Sequence, residues 1–309
     1  MSVTIYHHPS SHTHQMTDGH PECIARVQAV EEALRTLPNL SWETCAKATR
    51  AQLEAGHDPA YLDRLTKAQP TSGLVTLDAD TTLSPGTLSA ASHAVGGACA
   101  AVDAVMSGQT QSAFVAMRPP GHHAERDKPM GFCLYSTIAL AAKHAASAHG
   151  LTRIAIVDFD VHHGNGTQDV LWDDPNVRFV SSHQMPLWPG SGTAHEVGVH
   201  GQITNIPFAP HTSSAQLRKT YEREVLPLLD SYAPELILIS AGFDAHTNDP
   251  LANLDFQTSD FAWITDRLAE LAGTHAKGRI VSTLEGGYDL RALAESATAH
   301  VRSLQEAAR

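Results

Sequence analysis

The sequence predicts a single α/β domain across residues 1–309, built on a mostly parallel sheet with helices on both faces. Two observations predict that class. Short apolar runs of strand length alternate with longer helical stretches along the whole chain, which is how a parallel sheet covered on two sides reads. Several of those runs end abruptly in carboxylates, imidazoles and glycine, as buried strands do when they deliver functional groups at their carboxyl ends. A third observation sets the domain count: no linker, repeat or low-complexity segment interrupts the 309 residues, of which 42% are hydrophobic, enough for one sizeable core.

In chain order, residues 3–6 predict the first strand. The loop after it carries His7, His8, His12, His14 and His20, and reads either as a polar surface connection or as a rim that meets substrate. Residues 21–37 show helical periodicity, with Pro21 suited to a first turn. A short helix is expected over 60–68 and loop over 71–82. Ser84-Pro85-Gly86 opens an Ala-rich helix to about Met106, with Ser84 as candidate N-cap. Gly96 and Gly97 inside it imply close packing against a neighbour, since each costs roughly 1 kcal/mol against Ala. Strands follow at 113–117, 154–157, 177–182, 203–206, 236–240 and 279–284. Helices are expected at 135–149, 213–232 with a break at Pro227, 261–273 and 290–304.

Composition narrows the function. A formal net charge of −12 argues against a non-specific nucleic-acid binder and permits a cationic substrate or partner. Cys23, Cys45, Cys99 and Cys133 are scattered without a CxxC pair, so neither a disulfide framework nor a cysteine zinc module is expected. The first residues lack the pattern of a signal peptide, and no apolar run reads as a membrane span. The expectation is a cytoplasmic protein with no membrane or nucleic-acid partner. Twenty histidines are the unusual feature.

The richest stretch is Asp158-Phe-Asp160-Val-His162-His163-Gly-Asn165, at the end of the 154–157 strand. Asp160 and His162, two apart on extended chain, project to one side and begin a metal site. Asp244, ending the 236–240 strand, completes a mixed oxygen and nitrogen triad. Three protein ligands with an open position are the logic of a catalytic zinc site. His122-His123 supplies a proton-transfer group. Asp158 and Asn165 suit the orientation of imidazoles, and Tyr288, freed by two glycines, can donate to a developing oxyanion. Taken singly, each has a plainer reading as helix cap, surface pair or turn; their joint occurrence at successive strand ends favours the metal site.

These motifs, with Arg118-Pro-Pro-Gly-His122-His123, Ala-Gly-Phe-Asp244, Asp249-Pro250 and Glu285-Gly-Gly-Tyr288, resemble those of the zinc-dependent histone deacetylases. The similarity is closer to class II enzymes and bacterial histone deacetylase-like amidohydrolases, and is densest from Arg118 to Tyr288. The resemblance implies an arginase-like fold, catalytic zinc on Asp160, His162 and Asp244, and a structural potassium near Asp158, Asp160, His162 and Ser181. It implies active-site roles for His122, His123 and Tyr288, with Asp158 paired to His122. Asn165 stands where class I members have aspartate, which leaves His123 the readier base. Phe132 and Trp188 match tunnel walls, and Leu251 matches a tunnel-mouth position that is glutamate in polyamine-specific relatives. Asp80 matches, after a one-residue shift, the acid that grips the substrate backbone.

The implied activity is zinc-dependent hydrolysis of acyl-lysine amides to amine and acetate. An acetylpolyamine or other small-molecule amidohydrolase is the alternative within the fold. An inert acyl-lysine reader would not need His122, His123 and Tyr288 together, and a dinuclear manganese hydrolase would want more ligands. The partner is thus an acyl-lysine peptide or an acetylated small amine, and homo-oligomer formation stays open.

Overall fold

The structure is a computed structural model that describes residues 3–308. Its central strands are β1 (Val3–His7), β2 (Leu40–Thr44), β5 (Ser112–Val115), β6 (Ile154–Asp158), β7 (Val177–Gln184), β8 (Ile203–Phe208), β9 (Leu236–Ala241) and β10 (Ile280–Leu284). A small hairpin, β3 (Val75–Thr76) with β4 (Thr82–Leu83), lies apart. The helices are α1 (Ile24–Leu34), α2 (Arg50–Glu54), α3 (Pro59–Ala68), α4 (Thr87–Ser107), α5 (Thr137–His149) and α6 (Asn165–Val170). They continue with α7 (Ser214–Thr220), α8 (Leu226–Tyr232), α9 (Thr258–His275) and α10 (Leu290–Ala307).

The eight strands run parallel in the order β2-β1-β5-β10-β9-β6-β7-β8. This is the mostly parallel sheet expected, with helices on both faces. Side-chain alternation along β6 divides the core. Ile154 and Ile156 pack with Ala98 of α4 and Ile138 of α5, whereas Ala155 and Val157 pack with Val30 of α1, Phe261 of α9 and Leu293 of α10. Leu238 of β9 has no solvent exposure, so Leu238→Ala is expected to cost about 2–5 kcal/mol.

The strand order matters for chemistry. β5, β10, β9 and β6 are distant in sequence but consecutive in the sheet. The segments that follow them carry His122-His123, Tyr288, Asp244 and Asp160-Val-His162, so all four converge above the middle of the sheet.

Several elements depart from expectation. β2 is an edge strand whose residues are mostly exposed, so it lacks an apolar signal, and α2 and α6 are too short to show one. The hairpin β3-β4 interrupts the predicted loop. α1 begins at Ile24, after an N-cap at Cys23, leaving Pro21 outside. α4 begins at Thr87 because the Thr87 hydroxyl accepts from the Ser84 N–H at 2.8 Å, folding 84–86 into a turn; Gly86, not Ser84, is the N-cap. Pro227 does not break its helix, which instead widens into one π-helical turn at Tyr221–Val225 just before it. α4 is also long and apolar enough to cross a membrane by composition, contrary to the sequence reading, but 83% of that stretch is buried within the fold. Its glycines explain themselves: a Cβ at Gly96 would strike the Ala46 carbonyl, and one at Gly97 the Cys45 sulfur.

Candidate active site

Asp160, His162 and Asp244 each offer one donor atom within 4.8 Å of the others. His162 Nδ1 lies 3.2 Å from Asp160 Oδ1 and 3.1 Å from Asp244 Oδ2. Backbone amides hold both carboxylates: His162 N–H and Gly286 N–H donate to Asp160 at 2.9 and 2.8 Å, and Val161 N–H donates to Asp244 at 2.9 Å. The glycines around them are required. A Cβ at Gly242 would run into the Asp160 carboxylate, and one at Gly286 into Asp244.

Two buried carboxylates sharing one imidazole make a site that wants positive charge. Burial works against a charged His162, yet the carboxylates outweigh it and push its pKa up to about 10. For Asp244, burial and the neighbouring Asp160 raise the carboxyl above its ordinary range. A divalent cation would supply that charge to all three donors at once, so the residues present fit a metal of borderline character such as zinc.

The two adjacent histidines differ. His122 Nδ1 lies 2.9 Å from Asp158 Oδ2, and its Nε2 is 3.7 Å from Asp160 Oδ2. Burial opposes its charge, but Asp160 and Asp158 overcome that and hold it well above the usual histidine value. His123 Nδ1 instead meets the neutral amide oxygen of Asn165 at 2.8 Å. Burial, then the cationic neighbours His122 and His162, push His123 well below the usual value. The rings are 3.9 Å apart, so the pair offers one proton held and one proton acceptor side by side. The turn carrying them is pinned by Glu285, which accepts from Gly121 N–H at 2.7 Å and His122 N–H at 3.1 Å.

Tyr288 stands over this floor. Asp249 accepts its backbone N–H at 2.7 Å, and the Arg26 guanidinium lies 4.8 Å from its ring centroid. Arg26 is itself fully buried and donates to the carbonyls of Gly287 at 2.6 Å and Glu285 at 2.5 Å. Burial pushes the Tyr288 phenol well above its usual range, so it stays a donor.

Aromatic side chains pack against these residues. Trp188 sets its edge against His123 with centroids 4.7 Å apart, and Phe132 meets Tyr288 at 6.1 Å. Phe132 has a φ of +68°, in the left-handed region bulky residues avoid, directly after Gly131 at +55°. A Cβ at Gly131 would collide with the His123 ring and sit 2.6 Å from Trp188, so only glycine lets this turn close.

Asp80 and Leu251 are placed differently. Asp80 Oδ1 accepts from Gly131 N–H at 3.3 Å, so that oxygen supports the turn bearing Phe132 from behind. Leu251 is partly exposed, and its N–H donates to Asp249 Oδ1 at 3.0 Å, tethering it beside the segment that holds Tyr288. The N-terminal loop is divided between the two sequence readings. His14 is buried 3.3 Å from Glu22, while His20 lies against Phe132 at 4.8 Å. Sequence reasoning missed Arg26, Glu125 and the use of Glu22, which pairs with buried Arg118 at 2.7 Å. None stands in a metal-ligand pattern, and each acts on residues remote in sequence.

The comparisons agree with this fold. The histone deacetylase domain family matches residues 20–304. An uncharacterised Synechocystis protein is 39% identical over 297 residues, covering 94% of this chain and 95% of that protein. A histone deacetylase-like amidohydrolase of Pseudomonas aeruginosa is 35% identical, covering 87% of this chain and 71% of that protein. The crystal structure of the HDA15 HD domain superposes with a TM-score of 0.93 at 30% identity, covering 99% of this chain and 88% of that one.

Proposed function

Since the chain belongs to the histone deacetylase domain family and is a deacetylase or amidohydrolase by that membership, we propose that it hydrolyses N-acyl-lysine side-chain amides to the free amine and acetate. The observation that carries this reading is the pairing of a proton-holding His122 with a proton-accepting His123 beside the Asp160, His162 and Asp244 donors. Those three residues would hold zinc, which when bound would supply the Lewis acidity for activating water and polarising the acyl oxygen.

The protein's own groups do the rest. With Nδ1 engaged by Asn165, His123 uses Nε2 to take the proton from the attacking water and return it to the leaving amine. His122, kept cationic by Asp158, steadies negative charge as it develops. The Tyr288 hydroxyl donates to the acyl oxygen. Phe132 and Trp188 flank the substrate's methylene stem, which suits apolar walls. Asp158 and Ser181 are direct neighbours in the β6–β7 register, which supports a structural potassium beside the catalytic residues.

Steady-state kinetics on acetyl-lysine peptides against acetylspermidine and acetylputrescine test the substrate. Higher kcat/KM on the peptides is expected. Preference for the polyamines would make the small-molecule amidohydrolase the correct reading.

A further inference from the structure

A second convergence of metal-ligand side chains lies away from the crevice. Nε2 of His144 is 2.8 Å, and Nε2 of His149 2.7 Å, from the same oxygen of Asp103, Oδ1. Asp103 belongs to α4 and both histidines to α5. The first turn of α5 lies at the crevice end, where a Cβ on Gly121 would touch Thr137 N at 2.7 Å. His149, twelve residues on, is roughly 18 Å further along the helix axis. From there the chain turns through Gly150 into the amino end of β6, so the cluster stands at the opposite rim of the sheet.

Helical geometry alone does not bring these imidazoles together. Residues five apart diverge by about 140° around an α-helix. Their rings nevertheless turn inward, with centroids 6.0 Å apart and planes at 82°, to reach one atom. A carboxylate has two oxygens with room for several donors, so two histidines serving only as ion-pair partners have no need to share one. Ligands of a single ion do converge this way: about 3.3 Å separates neighbouring donors in a tetrahedral zinc site with bonds near 2.0–2.1 Å. Small rotamer changes bridge that difference.

The surroundings suit an ion. Among the described residues no lysine or arginine pairs with Asp103, and the adjacent Lys143 turns to Asp174 at 2.9 Å. His144 and His149 are 16% and 25% exposed and Asp103 is 53% exposed, which leaves entry and room for water ligands. Both helices are anchored in the core, by Val102 and Ala104 beside Asp103 and by Ala141 and Ala145 around His144. Rigid elements are what present ligands in fixed geometry.

We propose that Asp103, His144 and His149 form a surface site for a divalent transition cation, zinc foremost, that braces α4 against α5. Two imidazoles and one carboxylate select borderline ions such as zinc, nickel or copper(II) over calcium and magnesium, which favour oxygen ligands.

Metal content after equilibration with zinc and dialysis tests this. The parent should retain two equivalents and the His144→Ala/His149→Ala double variant one, with kcat/KM on acetyl-lysine peptide unchanged within about twofold. Asp244→Ala should retain one, lost when the double substitution is added, so failure at either site is seen separately. Copper(II) gives a second readout: coupling to two imidazole nitrogens should appear in the parent and in Asp244→Ala, and vanish in the double variant. Equal metal content in parent and double variant, or a two-nitrogen copper signal that survives the double substitution, would overturn the proposal.

Discussion

Glu125 fixes the orientation of Asn165: the amide nitrogen donates to the carboxylate at 2.7 Å, which leaves the amide oxygen 2.8 Å from His123 Nδ1. A carboxylate only accepts, so the amide cannot be turned around, and the proton on His123 is confined to Nδ1. Asn165→Asp would set two carboxylates against each other. Loss of that charge-assisted bond should cost about 1–3 kcal/mol, and adding Glu125→Gln should restore most of it, because the new amide donates. Urea unfolding of the four proteins in this cycle checks the coupling; strictly additive effects would show that the contact does not operate.

Tyr288→Phe removes a hydroxyl while keeping the ring that Arg26 covers. The proposed role is donation to the acyl oxygen in the transition state, so kcat should fall by roughly 10²–10³ with little change in KM. Thermal stability should stay near that of the parent, since the backbone anchor to Asp249 remains. A kcat within a few fold of the parent would remove Tyr288 from the mechanism.

The floor of this site was largely legible in the sequence, and its supports were not. Asp160, His162 and Asn165 lie within six residues and advertise themselves through strand periodicity and residue type. Asp244 and Tyr288 each end an apolar run. Nothing local reports that Arg26 reaches Gly287 across the chain, or that Glu22 and Arg118 form a buried pair beneath the N-terminal loop. Those contacts exist because β1, β5 and β10 become neighbours only in the folded sheet. The same cause hid β2, an exposed edge strand whose only signal is its pairing with β1. Leu251 was identified by similarity alone, and the structure adds the Asp249 tether.

Buried His300 makes stability depend on pH. Its nitrogens lie 2.7 Å from the Thr265 hydroxyl and 2.9 Å from the Ser282 hydroxyl, and burial pushes its pKa down to about 3. The unfolded chain binds this proton near pH 6.5 and the folded chain does not, so stability is full above 6.5 and declines as pH falls toward 3. Between pH 7 and pH 5 this group should account for about 2 kcal/mol. His300→Gln keeps a donor and an acceptor but cannot titrate, so its unfolding free energy should vary less over that interval. A variant that loses stability as steeply as the parent would assign the acid sensitivity elsewhere.

In the proposed function, the choice of amine is expected to turn on Leu251. Asp249 ties it in place through one oxygen at 3.0 Å and binds the Tyr288 backbone through the other at 2.7 Å. Burial and then Asp244 raise Asp249 to about 7, so this corner already resists further negative charge. An apolar side chain here offers no partner to the second ammonium of a polyamine, and desolvating that ammonium against it is costly. A peptide lysine carries no cation at that depth. Leu251→Glu adds a carboxylate next to Asp249, and a cation then relieves both the new charge and its repulsion. The ratio of kcat/KM for acetylspermidine over acetyl-lysine peptide should rise about threefold to tenfold, corresponding to roughly 1 kcal/mol for a partly exposed pair. Raising the salt concentration should shrink that gain, because such a pair is screened. An unchanged ratio, or one insensitive to salt, would place the determinant of amine preference at another residue.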